Sequence, residues 1–146
     1  MVVLVGILVG GGIYWLFFRG PSSADCAPVR ELLSFNKTQV DAMNAKTTVP
    51  EPGSGEVATE PSDLEYRAWA DGLTDRAAKV TADDLSQQAL DVAQTANRLV
   101  QAKLDYNAAS AHTAPGGPTP PAAMAVAAFN QELETRVSLL AQKCPA

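Results

Sequence analysis

The first 18 residues, MVVLVGILVGGGIYWLFF, carry no charge, and nothing else in the chain limits its fold so strongly. As a helix rising about 1.5 Å per residue they span roughly 27 Å, just enough to cross the hydrocarbon of a bilayer. Tyr14 and Trp15 lie toward the end that meets Arg19, Gly20 and Pro21. Amphipathic rings favour the headgroup region there, and the proline stops the helix. The competing reading is a cleaved signal peptide, since Ser22 and Ala24 form a small-x-small site before Asp25. Against it, the apolar run exceeds the roughly 7 to 15 residues of a signal core, and no basic segment precedes it. A lipoprotein fits less well, because Asp25 stands before Cys26 where a small residue is needed. We expect a transmembrane anchor over residues 1–18 and a juxtamembrane linker over 19–25. Gly6 and Gly10 form a G-x-x-x-G spacing, which lets two membrane helices approach closely.

Orientation pulls in two directions. Arg19, Arg30 and Lys37 follow the anchor and no Lys or Arg precedes it, so the positive-inside rule puts the C-terminal part in the cytoplasm. Opposing this, a cysteine pair profits only from an oxidising compartment, and a misplaced start would hide a short basic head. We take the C-terminal domain to be extracytoplasmic, tethered to the cell membrane by a single pass.

Beyond the anchor, composition excludes several classes. A net charge of −5 and a pI near 4.7 leave no basic face to neutralise phosphates, so nucleic acid is not an expected partner. One histidine and two cysteines are too few for most zinc or redox sites. Twenty-five alanines and a lack of β-branched or aromatic runs favour helix throughout.

Four helices are expected. The first runs from about Pro28 to Thr47, with Asp25 near its start and Val29, Leu32, Leu33, Asn36, Val40 and Met43 on one stripe. Residues 48–61 break it with three prolines, two glycines and three glutamates, a composition unable to bury enough surface to order itself. The second helix starts at Ser62, whose spacing to Glu65 makes a capping box, and turns Tyr66, Trp69, Leu73, Ala77 and Val80 inward. Gly72 weakens that helix by up to about 1 kcal/mol relative to alanine. Thr81 reads as the next cap, with Asp83 and Asp84 in a first turn where the helix dipole favours acids. Leu85, Ala89, Val92, Ala96, Leu99, Lys103 and Tyr106 then keep the 4-3 spacing of a bundle seam, along which Lys103 lays its stem. A second break, residues 110–121, holds four prolines. The last helix, Ala122 to Lys143, buries Val126, Phe129, Leu133, Val137 and Leu140.

Short connections between amphipathic helices imply an up-down-up-down bundle. In that topology the start of the first helix and the end of the last share a pole, where Cys26 and Cys144 stand in the sequence. The expected fold is therefore all-α, a transmembrane helix followed by an up-down four-helix bundle over residues 26–146, closed by one Cys26–Cys144 disulfide. Only Arg19 to Ala24 separate the anchor from Cys26, so the closed pole should face the membrane.

No catalytic constellation emerges. His112, the one histidine, lies in the second break without a designated acid or nucleophile. The neighbouring pairs Glu132/Glu134 and Asp83/Asp84 do not share a helix face and lack a histidine. Neither a cofactor nor a metal site is expected, and no enzymatic activity. Residues 51–84 hold nine acids and three bases, a possible docking face for a basic partner, although a solvated surface explains them as well. Asn36-Lys37-Thr38 matches a glycosylation sequon inside a helix, where chance accounts for it, and the Thr/Pro-rich break offers O-linked sites.

The Ala/Thr/Val/Pro-rich style, with few lysines and the loop TAPGGPTPPA over Thr113 to Ala122, resembles small single-pass envelope proteins of high-GC actinobacteria such as mycobacteria. The resemblance implies a cell-envelope setting and carries over no catalytic or binding residues. Two functions are expected. The first is a non-enzymatic accessory or scaffolding subunit of a larger envelope complex, its partners the bilayer and other membrane-protein subunits. The second is an extracytoplasmic module that holds a lipid or other apolar ligand between its helices, with Tyr66, Trp69, Tyr106 and Phe129 as the lining.

Overall fold

Helix starts follow from local capping chemistry, and two of them differ from the sequence reading. The computed structural model describes residues 21–48, 51, 53–56, 58–114 and 117–145; the anchor over 1–18, with Gly6 and Gly10, lies outside them. Helix α1 spans Ser23–Lys46, beginning five residues before Pro28. Ser22 is the cap: its hydroxyl accepts from the Asp25 amide at 3.1 Å, and the Asp25 carboxylate accepts from the Ser22 amide at 3.0 Å. This reciprocal box satisfies donors that the first turn leaves unpaired. Pro28 forfeits only the bond to the Ala24 carbonyl, at an exposed helix start, where water replaces it.

Helix α2, Asp63–Ala77, begins as expected at Ser62 with the Glu65 capping box. Helix α3, Asp83–Ala111, is the longest at 29 residues, and its cap is Ala82 rather than Thr81, with no side chain closing the turn. It also runs past Ser110, where the second break was expected to begin, so that His112 is its exposed C-cap. Helix α4 spans Ala122–Lys143.

The four helices form an up-down bundle, and a disulfide joins Cys26 in α1 to Cys144 at the end of α4, with Cα atoms 5.3 Å apart. Val29, Leu32, Leu73, Leu85, Val92 and Leu140 are fully buried, each contributing about 1.5–3 kcal/mol by leaving water. α3 is the central helix, packed on α2 on one side and α4 on the other. That position buries Ala93, Thr95, Val100 and Ala102 in addition to the seam residues Leu85, Ala89, Val92 and Ala96. Small side chains on two faces let both neighbours approach.

Packing is tight at the disulfide pole and loosens away from it. The far halves of α1 and α4 contain no buried residue between Leu33 and Lys46 or between Ala122 and Glu132. Val126, Phe129 and Val137, expected to be buried, are only half-buried, because α1 leans on α2 and touches α4 sparingly. Among the described residues no helix is long and apolar enough to cross a membrane.

Candidate binding cleft

The loosened half of the bundle is a cleft of about 360 Å³. One wall is the end of α1, from Asn36 through Val40 and Met43 to Thr47; the opposite wall is the start of α4, from Val126 through Leu133 to Val137. Tyr66 and Trp69 of α2 with Leu99, Val100 and Lys103 of α3 supply the floor. Each wall covers 11 residue steps, about 16 Å at 1.5 Å per residue. The cleft's volume sits at the small end of ligand pockets, and its length suits one extended chain.

Three polar arrangements border it. Trp69, 3% exposed, donates its indole N–H to the Asn36 side-chain oxygen at 3.1 Å, tying α2 to α1 at the inner end. Asn36 is half-buried, with its side-chain oxygen engaged. At the outer end Lys103 donates to the Glu60 carboxylate at 2.5 Å, with its ammonium 5.2 Å from the Tyr106 ring and 6.0 Å from Tyr66. Burial raises the Tyr66 phenol above its ordinary range, opposed by the nearby Lys103 charge. Lys46 pairs with Glu65, and that contact with the Ser62 capping bonds draws the Glu65 carboxyl down to about 2.

The segment after α1 is pinned at its base. Thr48 and Thr59 exchange backbone bonds at 3.0 and 3.3 Å, and the Thr59 hydroxyl reaches the Lys46 carbonyl at 2.7 Å. Its exposed turn uses Gly53 and Gly55 at φ 89° and 74°, a region that glycine enters without strain. Acids of residues 51–84 are partly consumed here: Glu60 and Glu65 hold lysines, and Asp63 accepts from Asn107 at 3.3 Å.

Of the aromatic residues expected to line a ligand site, Tyr66 and Trp69 do so. Tyr106 stands beside Lys103 outside the lining, and Phe129 borders a shallow surface depression with Arg98, Gln101 and Ala102. Val40, Met43, Leu99, Asn36 and Lys103 were read only as stripe and seam positions. The signal that marks the cleft is polar: Asn36 and Lys103 are the polar members of otherwise apolar stripes, and both line it. Elsewhere, Glu132 bonds Arg136, Glu134 accepts from Asn130, and Asp83 and Asp84 occupy the first turn of α3. Among the described residues no group of three or more His, Cys, Asp or Glu is placed to hold a metal ion. Comparison with protein-family models, curated proteins and solved structures finds no match.

Proposed function

We propose that the chain is a membrane-tethered, extracytoplasmic, non-enzymatic binding module that takes one apolar chain into the cleft between α1 and α4. The observation that carries this reading is the cleft itself, about 16 Å long, with Val40, Met43, Val126, Leu133 and Val137 on its walls and Trp69 and Tyr66 at its floor. The disulfide supports an oxidising compartment, and the uncharged run over 1–18 supports the tether. Retention of that run is favoured because a cut after Ala24 would remove Ser22, the cap of α1. On this reading the disulfide pole rests at the membrane and the cleft opens away from it.

Trp69 is the natural reporter. The full-length chain in lipid nanodiscs, carrying Trp15→Phe so that Trp69 is its single tryptophan, should show saturable quenching by 11-bromoundecanol. Val40→Phe, which narrows the cleft, should abolish saturation. Quenching that rises linearly with added alcohol and ignores Val40→Phe would remove the cleft as a binding site.

A second reading, a scaffolding subunit of a larger envelope complex, draws on Leu64 and Met124, 76% and 79% exposed at the cleft pole. Purification in mild detergent should then recover stable partners, and a lone monomer after crosslinking would count against it.

A further inference from the structure

Resting on the cleft reading, we infer that the guest is a single-chain amphiphile with a carboxylate head, and that Lys103 receives that head by exchanging it for Glu60. Lys103 is the one cation in the cleft lining among the described residues. Its side chain is 18% exposed, its stem lies among apolar neighbours, and two tyrosine rings flank its ammonium. A cation this far desolvated gains more from a charge-assisted hydrogen bond than a surface lysine does. It already holds a carboxylate, that of Glu60, at 2.5 Å. Glu60 is 45% exposed and belongs to a connection rather than to a helix, so it can withdraw into water at little cost.

The register of the cleft places this charge at one end. Lys103 shares the outer end with Tyr66, Thr47 and Val126, whereas Asn36, Trp69 and Val137 mark the inner end. A chain laid along the 16 Å cleft with its tail inward therefore brings its head to Lys103. The Nζ–Oε bond to Glu60 is exchanged for an Nζ–O bond to the guest, and both carboxylates remain ionised. The other lining charge, Glu134, is exposed and already accepts from Asn130 at 2.9 Å, so it offers a cationic head a weaker, solvated partner.

The test compares three guests of one chain length at pH 8 in the Trp15→Phe background: 11-bromoundecanoate, 11-bromoundecanol and 11-bromoundecyltrimethylammonium. Partitioning into the nanodisc is common to all protein variants and cancels from their ratios. Lys103→Met should lower the ratio of carboxylate to alcohol affinity about three- to tenfold relative to the parent. Glu60→Gln removes the competitor and should raise that ratio severalfold. A carboxylate-to-alcohol ratio that Lys103→Met leaves unmoved, or an ammonium-to-alcohol ratio that falls with it, overturns the assignment of Lys103 while the cleft stands. Failure of all three guests to saturate overturns both. If Lys103→Met does not fold by circular dichroism, Glu60→Gln decides the matter alone.

Discussion

Gly72 lies under the Phe35 ring, and its missing side chain is what lets α1 and α2 meet there. A Cβ at this position would come within 2.8 Å of Phe35 Cε1 and closer still to Cζ. The Arg76 guanidinium stacks over the face of that ring, 3.7 Å from its centroid. Helix propensity alone makes Gly72→Ala stabilising by about 1 kcal/mol, but overpacking costs about 1–3 kcal/mol. We expect a net loss of about 1 kcal/mol in urea unfolding, recovered in the double variant Gly72→Ala/Phe35→Leu; a gain in the single variant would show that the ring does not rest there. Glu65 gives a second prediction. Its carboxyl falls from 4.5 to about 2, first through Lys46 and then through the Ser62 amide and hydroxyl. A depressed folded value means its contribution is complete above about pH 4.5 and lost as pH falls toward 2. The urea midpoint of the wild type should therefore fall more steeply across that window than that of Glu65→Gln, which keeps a capping amide but not the charge.

At the scale of the element, the two serine boxes and the uncapped α3 form a comparison within one molecule. Ser22 and Ser62 each close their first turn, whereas Ala82 holds the extended cap geometry, φ −66° and ψ 125°, without an acceptor. Ala82→Ser supplies that acceptor and should stabilise by about 0.5–2 kcal/mol, read as a higher urea midpoint. No shift would mean that the hydroxyl is turned into the core, against which Ala82 packs. The reading of Thr81 as the cap misses by one residue because threonine is a good cap in general, while burial of Val80 and Leu85 sets which residue turns the corner.

At the scale of the whole molecule, the disulfide closes a loop of 118 residues in sequence separation and ties down α1, the helix that packs least against the rest of the bundle. In the chain-entropy model such a bridge contributes about 4.7–5 kcal/mol. Replacing both cysteines, Cys26→Ser with Cys144→Ser, should lower stability by up to about that amount, with α1 losing the most hydrogen-exchange protection. Uniform loss across all four helices would show that α1 is not the loosely attached element. Orientation has its own test at Ser54, exposed in the loop after α1. Ser54→Cys should react with an impermeant maleimide on intact cells if the bundle is extracytoplasmic, and only after permeabilisation if it is not.

Much of the architecture is legible in the chain because its signals are local. Helical periodicity, the Ser62–Glu65 spacing and two proline-rich breaks define four helices, and antiparallel order then brings Cys26 to Cys144. The Ser22–Asp25 box carries the same kind of signal, but Pro28 obscures it by resembling a first-turn residue. The cleft is different in kind. Val40, Met43, Val126 and Val137 have the spacing of core residues, and nothing in that spacing states how far α1 stands from α4. That distance follows from the bond at one pole, from Phe35 resting on Gly72 and from the Trp69–Asn36 bond. The apolar faces and the ends that meet are legible in the chain alone. Where those faces fail to touch is fixed by the assembled bundle, because the separation of helix axes is set by pairs of side chains far apart in the chain.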